Sequence, residues 1–150
     1  MSYTLDYDEP IPKVVERLRL EHKNFAEHLS SIYKMSKEAG LKDIVNELDK
    51  MKQNVLRHEV EEEARLMRVI MWELSSRAEK SISIMRQHRN IAYFLKYTAP
   101  RLLELPESVA RREVRIFVND MRKHHAEEEK IVFPLALRAD KLAEKHQKNV

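Results

Sequence analysis

The chain has no cysteine and a single glycine among its 150 residues, and only 7% of its residues are aromatic. Without cysteine it cannot form disulfides, thiolate-bound zinc sites or iron–sulfur clusters, and it cannot use a thiol as a nucleophile. Charged residues make up 35% of the sequence, and with so little glycine this composition is typical of long helices rather than of a β-sheet. The sequence therefore predicts an all-α protein.

Long apolar runs are also missing. No stretch approaches the roughly 20 apolar residues that a membrane-spanning helix needs, and the segment from Met1 to Pro12 lacks the apolar stretch of a signal peptide. The net charge of +3 is small and basic residues are mixed with acidic ones, so we expect neither a membrane nor a nucleic acid as partner. We expect one cytoplasmic domain over residues 1–150, with a core at about 11–137 and a tail at 138–150.

Proline, glycine and serine mark the ends of four predicted helices. Pro10 and Pro12 favour the start of the first helix, because proline fits the first turn. Gly40 is interpreted as the end of that helix, and Ser76 with Glu79 as a capping box that opens the third. Long helices joined by short loops lie antiparallel, so the expected fold is an up-down-up-down four-helix bundle.

Apolar residues recur at three- and four-residue steps along these helices and so form one continuous face. The series in the second helix is Leu41, Ile44, Leu48, Met51, Val55, His58, Glu62, Leu66 and Val69. The histidine and the glutamate in this series are therefore predicted to point into the bundle.

The sequence also contains a hidden duplication. His22-Lys23-Asn24 reappears as His88-Arg89-Asn90, and His58, Glu62 and Glu63 reappear as His124, Glu128 and Glu129, each 66 positions later (22 to 88, 58 to 124). A duplicated helical hairpin predicts an internal two-fold pseudo-repeat in the bundle.

Six metal-ligating residues fall on the inward faces: His22, His58, Glu62, His88, His124 and Glu128. An unpartnered carboxylate in the core would cost several kcal/mol. Histidine and glutamate four residues apart lie one above the other on a helix and can reach the same centre. A pair of divalent cations would satisfy all six residues, and nitrogen and oxygen donors without sulfur suit iron, manganese or zinc.

The sequence resembles hemerythrin-like, or HHE cation-binding, domains over roughly Val14 to Leu137. The resemblance is carried by Leu20-Glu21-His22-Lys23-Asn24, His58-Glu59-Val60-Glu61-Glu62-Glu63, His88-Arg89-Asn90 and His124-His125-Ala126-Glu127-Glu128-Glu129. It implies a non-haem centre of two iron ions, oxo- or hydroxo-bridged when oxidised, inside a four-helix bundle. Carried over to this chain, His22 and His58 would hold one iron, His88 and His124 the other, and Glu62 and Glu128 would bridge them.

The chain departs from the oxygen carriers of that family at two places. The carriers have a further histidine at the position of Ala92, and Glu59 or His125 is a candidate for the missing ligand. The carriers place their fourth-helix carboxylate at the position of Glu129, so Glu128 and Glu129 compete for the bridging role. We favour Glu128, because it is the repeat mate of Glu62.

Two classes of function remain open. The first is a binding protein that senses, buffers or scavenges O2, NO, peroxide or iron, with a small diatomic molecule or peroxide as its partner. The second is a peroxidase- or oxidase-like enzyme that uses an external electron donor. The sequence shows no flavin or nicotinamide motif, which favours the first class, and it makes no prediction of oligomeric state.

Other polar and aromatic residues are assigned ordinary roles. His28 is off the inward face and is expected at the surface. Glu61 and Glu127 are expected on solvated faces, and Trp72 is expected to pack in the interior. Tyr93 is expected to pack as well, although it is also a candidate gate or hydrogen-bond partner near His88.

Overall fold

Four long helical segments account for most of residues 4–148, the part of the chain that the computed structural model describes. The first is α1 (Ile11–Glu38). Each of the other three segments contains a π-helical turn. The second segment is α2 (Leu41–Glu61), a π-helical turn (Glu62–Met67) and α3 (Arg68–Glu73), and the third is α4 (Ala78–Tyr93), a π-helical turn (Phe94–Thr98) and a 3-10 helix (Ala99–Glu104). The fourth is α5 (Glu107–Glu127), a π-helical turn (Glu128–Val132) and α6 (Phe133–Lys148).

The four segments pack side by side. α1 contacts α2 and α5, α4 contacts α5, and α3 contacts α6. No strand occurs in residues 4–148, and none of the helices described is long and apolar enough to cross a membrane. The predicted all-α four-helix bundle is confirmed.

The helix ends agree only in part with the predicted signals. Pro10 precedes α1 and proline also occupies its first turn, as predicted. α1 ends at Glu38, close to Gly40 as predicted, but Gly40 does not cap it with a left-handed conformation: its φ is −66°, and it directly precedes α2. The predicted capping box is wrong: residues Ser75–Arg77 form a 3-10 turn, and α4 starts after Arg77 without a side-chain cap.

The core consists of two apolar clusters separated along the helix axes. Along α1, Leu18 belongs to one cluster and Phe25 and Leu29 belong to the other. His22 is buried between them. The bundle therefore has an apolar layer above and below a polar layer, which excludes water from the polar side chains on two sides.

The π-helical turn in the second segment shifts the phase of its apolar face. A π-helical turn has one more residue than an α-helical turn, so the residues after it face a different direction. Leu66 is buried as predicted, but Val69 is only partly buried, and Met67 and Ile70 are buried next to it. The sequence prediction assumed regular three- and four-residue steps throughout the segment, so it could not include this shift.

The last segment continues well beyond residue 137. Pro134 lies in the first turn of α6, directly after a π-helical turn, and the helix continues through it to Lys148. Ala139 is fully buried in the same cluster as Leu18. The end of the fourth segment thus contributes to the core that covers the polar layer.

Shortening a core side chain tests this packing. Leu48 is fully buried in the cluster with Phe25, whereas Leu20 is 54% exposed on α1. We expect Leu48→Ala to lower the free energy of unfolding by about 2–5 kcal/mol, because it removes apolar contacts and leaves a cavity. Leu20→Ala should change it by less than about 1 kcal/mol. Equal losses in urea titrations of the two variants would contradict the assigned core.

Candidate metal centre

The six predicted ligand residues meet in the polar layer. α1 and α4 each supply one histidine, and the second and fourth segments each supply one histidine and one glutamate. Each glutamate opens a π-helical turn, so the two turns are repeat mates like the residues they carry. The six are His22, His58, Glu62, His88, His124 and Glu128, and none is more than 5% exposed.

The six side chains form two groups that share the glutamates. The first contains His22, His58, Glu62 and Glu128; the second contains Glu62, His88, His124 and Glu128; and within each group the possible ligand atoms lie within 4.8 Å of one another. In the first group, Nε2 of His22 lies 3.2 Å from Nε2 of His58 and 3.3 Å from Oε1 of Glu128. Nε2 of His58 lies 3.4 Å from Oε1 of Glu62.

The second group has matching distances. Nε2 of His88 lies 3.2 Å from Oε1 of Glu62 and 3.4 Å from Oε2 of Glu128. Nε2 of His124 lies 3.2 Å from Oε1 of Glu128. All four imidazoles therefore turn Nε2 toward the two glutamates, which is the arrangement expected around a pair of cations.

The buried oxygens provide a test of whether cations fit here. Among the described residues, the buried side-chain oxygens without a hydrogen-bond partner are both oxygens of Glu62, one of Glu128 and one of Glu59. A carboxylate oxygen removed from water and left unpartnered is costly. Divalent cations between the glutamates would supply the missing partner, so the donor set fits a two-metal site.

Each of the four imidazoles also has an acceptor for its outward Nδ1 atom. Such contacts fix the tautomer and orientation of a metal-ligating histidine. The contacts are His58 to Oε1 of Glu21 (2.7 Å), His124 to Oε1 of Gln87 (2.7 Å), His22 to Oε1 of Glu129 (3.2 Å) and His88 to Oε2 of Glu63 (3.0 Å).

These outer contacts obey the duplication. Glu21 and Gln87 are repeat mates (21 + 66 = 87), and so are Glu63 and Glu129 (63 + 66 = 129). Glu21, Glu63 and Gln87 are not among the site residues predicted from the sequence. The same 66-residue offset would have identified them as a matched set of polar residues beside the ligands.

The geometry separates Glu128 from Glu129. Glu128 is fully buried and belongs to both four-residue groups, whereas the side chain of Glu129 is 45% exposed and belongs to neither. Glu129 accepts the hydrogen bond from Nδ1 of His22 instead. Of the two, only Glu128 therefore lies where both groups could share it.

Glu59 and His125 flank the centre on different sides. Glu59 is buried and lines a small groove with His88 and Ala92, and burial raises the pKa of its carboxyl to about 8. The ring of His125 stacks on His22 with ring centroids 4.1 Å apart, and burial lowers its pKa to about 2. Neither residue belongs to the two four-residue groups.

The glutamates change the protonation of the metal-free site. Burial alone would lower the pKa of His58, but the charge of Glu62 and the hydrogen bond to Glu21 raise it to about 10. Burial is likewise overcome at His88, where contacts with the carboxylates of Glu128, Glu62 and Glu63 raise the pKa to about 12. The metal-free centre therefore holds imidazolium ions that neutralise its carboxylates, and cations must displace those protons.

An ion-pair network supports His58 from outside. Glu61 is buried between Arg17 and Arg57, each with an Nη1 atom 2.9 Å from its Oε2, and Arg57 also binds Glu21. The prediction that Glu61 lies on a solvated face is therefore wrong. It failed because the two arginines come from different helices, and only the packing of α1 on α2 brings them together.

The corresponding carboxylate in the other half is half-buried. Glu127 lies 3.1 Å from Nζ of Lys80 and accepts a hydrogen bond of 3.2 Å from Nε2 of Gln87. It is thus held in place beside the outer contact of His124 rather than left in solvent. His28 is exposed as predicted.

Two grooves on the surface are also related by the duplication. A groove of about 560 Å³ is lined by Gln87, Tyr93 and His124 among others, and each residue lining a second groove of about 360 Å³ has its repeat mate in the larger one. Glu21 and Arg57 form an ion pair in the smaller groove, which Gln87 cannot form in the larger one. Tyr93 is 63% exposed at the larger groove rather than packed in the interior.

Trp72 does not pack in the interior either. Its side chain is 85% exposed on α3, so the role predicted for it is wrong. Its direction is set by the phase shift at the preceding π-helical turn, after which Ile70 faces the core.

A family model described as the Hemerythrin HHE cation binding domain matches residues 13–136 of the chain. This range contains the six residues of the two groups and all four of their outer contacts. Neither the comparison with curated proteins nor the comparison with solved structures gave a match.

The protonated imidazoles predict how the stability of the metal-free protein depends on pH. In the unfolded chain, His58 and His88 lose their protons near pH 6.5, whereas in the fold they keep them to about pH 10 and about pH 12. The stabilisation is complete below pH 6.5 and is lost as the pH rises through the folded values. We expect the melting temperature in the presence of a chelator to fall steadily between pH 7 and pH 10.

The metal-loaded protein serves as the control. Its imidazole nitrogens would be bound to cations and could not titrate, so its melting temperature should change much less over the same range. A metal-free protein whose melting temperature stays constant or rises between pH 7 and pH 10 would contradict the assigned protonation.

Proposed function

Because this chain belongs to the hemerythrin HHE cation-binding domain family, we propose that it is a non-haem di-iron protein that binds O2, NO or peroxide. One iron is held by His22 and His58 and the other by His88 and His124. Glu62 and Glu128 bridge the two ions. The observation that carries this proposal is that two four-residue groups share two fully buried glutamates.

Charge supports a pair of divalent ions. Two such ions bring four positive charges, and the two shared glutamates offset half of them, while the imidazoles bind in their neutral form. Nitrogen and oxygen donors are compatible with iron, manganese or zinc. We favour iron because the matching family model is that of the hemerythrin HHE domain, and because two iron ions held here would supply the redox chemistry that O2, NO or peroxide needs.

The chain leaves room for a small ligand. Each group offers four protein donors, and Ala92 contributes none at the position where oxygen carriers of the family have a histidine. Fewer protein ligands leave an open position at a metal. Glu59 lines a groove with His88, and His125 stacks on His22, and we propose that these two side chains control what enters the centre.

A binding role is favoured over catalysis. The polar layer is closed above and below by apolar clusters, so the ligand that reaches it must be small. An enzyme that consumes peroxide or O2 is the second candidate, because the groove of about 560 Å³ reaches His124 and could hold an external electron donor.

Metal analysis tests the centre directly. We expect about two irons per chain after aerobic loading, with visible absorption that changes when NO or peroxide is added. His58→Ala or His124→Ala should lose much of the iron and lower the melting temperature, because buried carboxylates lose a ligand partner. His28→Ala replaces an exposed histidine and should retain both irons. Full metal content in either of the first two variants would contradict its assignment as a ligand.

Turnover separates the two classes of function. For a binding protein, one equivalent of peroxide should change the visible spectrum once, and excess peroxide should persist in solution in the absence of a reductant. Sustained loss of many equivalents of peroxide per chain, measured with an oxygen or peroxide electrode, would instead establish the enzyme. A variant with Tyr93→Phe tests whether this exposed tyrosine contributes to either behaviour.

A further inference from the structure

The duplication allows the two halves of the centre to be compared residue by residue. The outward contacts of His22 and His88 are both glutamates, Glu129 and Glu63. The outward contacts of His58 and His124 differ, although both measure 2.7 Å. The first half has a carboxylate, and the second half has the amide of Gln87.

The carboxylate beside His58 is held firmly. Glu21 places Oε1 on Nδ1 of His58 and Oε2 on the guanidinium of Arg57. Arg57 is in turn fixed by buried Glu61. The side chain of Glu21 therefore cannot turn away from His58 without breaking this ion-pair network.

The amide beside His124 is oriented by its other contact. Nε2 of Gln87 donates to Oε2 of Glu127 at 3.2 Å, and Lys80 lies 3.1 Å from Oε1 of the same glutamate. An ionised carboxylate accepts hydrogen bonds but cannot donate them. The amide nitrogen of Gln87 must therefore face Glu127, and its Oε1 must face His124. That oxygen accepts the Nδ1 proton of His124 and leaves its Nε2 free for a metal.

An anionic acceptor and a neutral acceptor affect an imidazole differently. A carboxylate on the outward N–H makes the ring more basic and a stronger metal ligand, and loss of such a partner typically costs about 10–100-fold in metal affinity. An amide fixes the orientation but supplies no charge. His58 is therefore the stronger donor of the pair, while the glutamate contacts of His22 and His88 are matched.

We propose that the two metal positions are inequivalent, and that the first divalent cation binds at His22 and His58 before the second binds at His88 and His124. This inference rests on the proposed function, since it requires that the centre bind two cations. Glu21 and Gln87 act as positioning residues, and the difference between them decides which half has the higher affinity for a cation. A single exchange between repeat mates thus turns a symmetric site into an ordered one.

A second pair of repeat mates also differs in residue type, and its carboxylate lies in the half that contains His88 and His124. Glu59 is beside His88 and its repeat mate His125 is beside His22. If Glu59 approached a cation directly, its charge would favour the half with His88 and His124. Its carboxylate lies outside both four-residue groups, so we assign the ranking to the outer contacts. The two explanations predict opposite orders of binding.

Cobalt(II) is a suitable probe, because the N–H protons of cobalt-bound imidazoles give NMR signals far outside the usual range. Cobalt is titrated into the metal-free full-length protein, and the signals are assigned by their loss in His58→Gln and His124→Gln. With less than one equivalent added, we expect one set of signals, from His22 and His58. The set from His88 and His124 should appear only with the second equivalent.

Matched variants test the cause of the order. Glu21→Gln should weaken the first binding step by about 10–100-fold and spread the first cobalt over both halves. The double variant Gln87→Glu, Glu127→Gln keeps a donor–acceptor pair between these two positions and gives His124 a carboxylate. It should also spread the first cobalt over both halves, while Glu127→Gln alone should keep the original order.

Three results would overturn the inference. Two sets of signals of equal intensity in the unaltered protein would show equivalent halves. A first set from His88 and His124 that disappears in Glu59→Gln would assign the ranking to Glu59. Binding of fewer than two cobalt ions would overturn the proposed two-metal function as well, whereas two ions bound without order would overturn only this inference.

Discussion

The structure depends on two carboxylates that are placed where water cannot reach them. Glu62 and Glu128 are fully buried at the middle of the bundle, and three of their four oxygens have no hydrogen-bond partner. Burial would raise the pKa of Glu128, but its close approach to Glu62 and the charge of His124 hold it well below its usual range. The centre must therefore be neutralised by positive charge, either by protons on the imidazoles or by cations.

Other features of the fold strengthen the attraction between these carboxylates and positive charge, and they hold the ligands in place. Apolar clusters cover the polar layer at both ends, so charges inside it interact in a medium of low dielectric constant. π-helical turns begin at Glu62 and at Glu128, and such turns are often found at functional sites. The outward histidine nitrogens are all occupied, which keeps every Nε2 atom turned toward the glutamates. A fixed arrangement of this kind reduces the cost of organising ligands when a cation binds.

The same duplication that builds the centre also allows its halves to differ. Repeat mates occupy equivalent positions, so an exchange such as Glu21 to Gln87 changes the chemistry of one half without changing its geometry. The two grooves differ in the same way, because the ion pair of Glu21 and Arg57 in one is replaced by Gln87 and Lys123 in the other.

Much of the fold could be predicted because helical periodicity is a local property. The apolar steps identified the four segments and the inward direction of His22, His58, His88 and His124. Predictions that depended on helix ends were less successful. Glycine and serine are common in capping motifs, but Gly40 has no left-handed φ and Ser76 makes no side-chain cap, so residue type alone did not decide how these helices end. The phase shift that exposes Trp72 arises at a π-helical turn, which apolar periodicity does not reveal.

By itself, the sequence determined the helical class, the duplication and the six side chains at the centre, because these follow from residue types at fixed spacing along single helices. Only the tertiary structure decided which partners those side chains meet. Glu61 is buried in ion pairs, Glu129 contacts the outward nitrogen of His22, and Glu128 belongs to both four-residue groups. Each of these outcomes depends on residues from different helices, and the distance between helices is set by how their apolar faces pack.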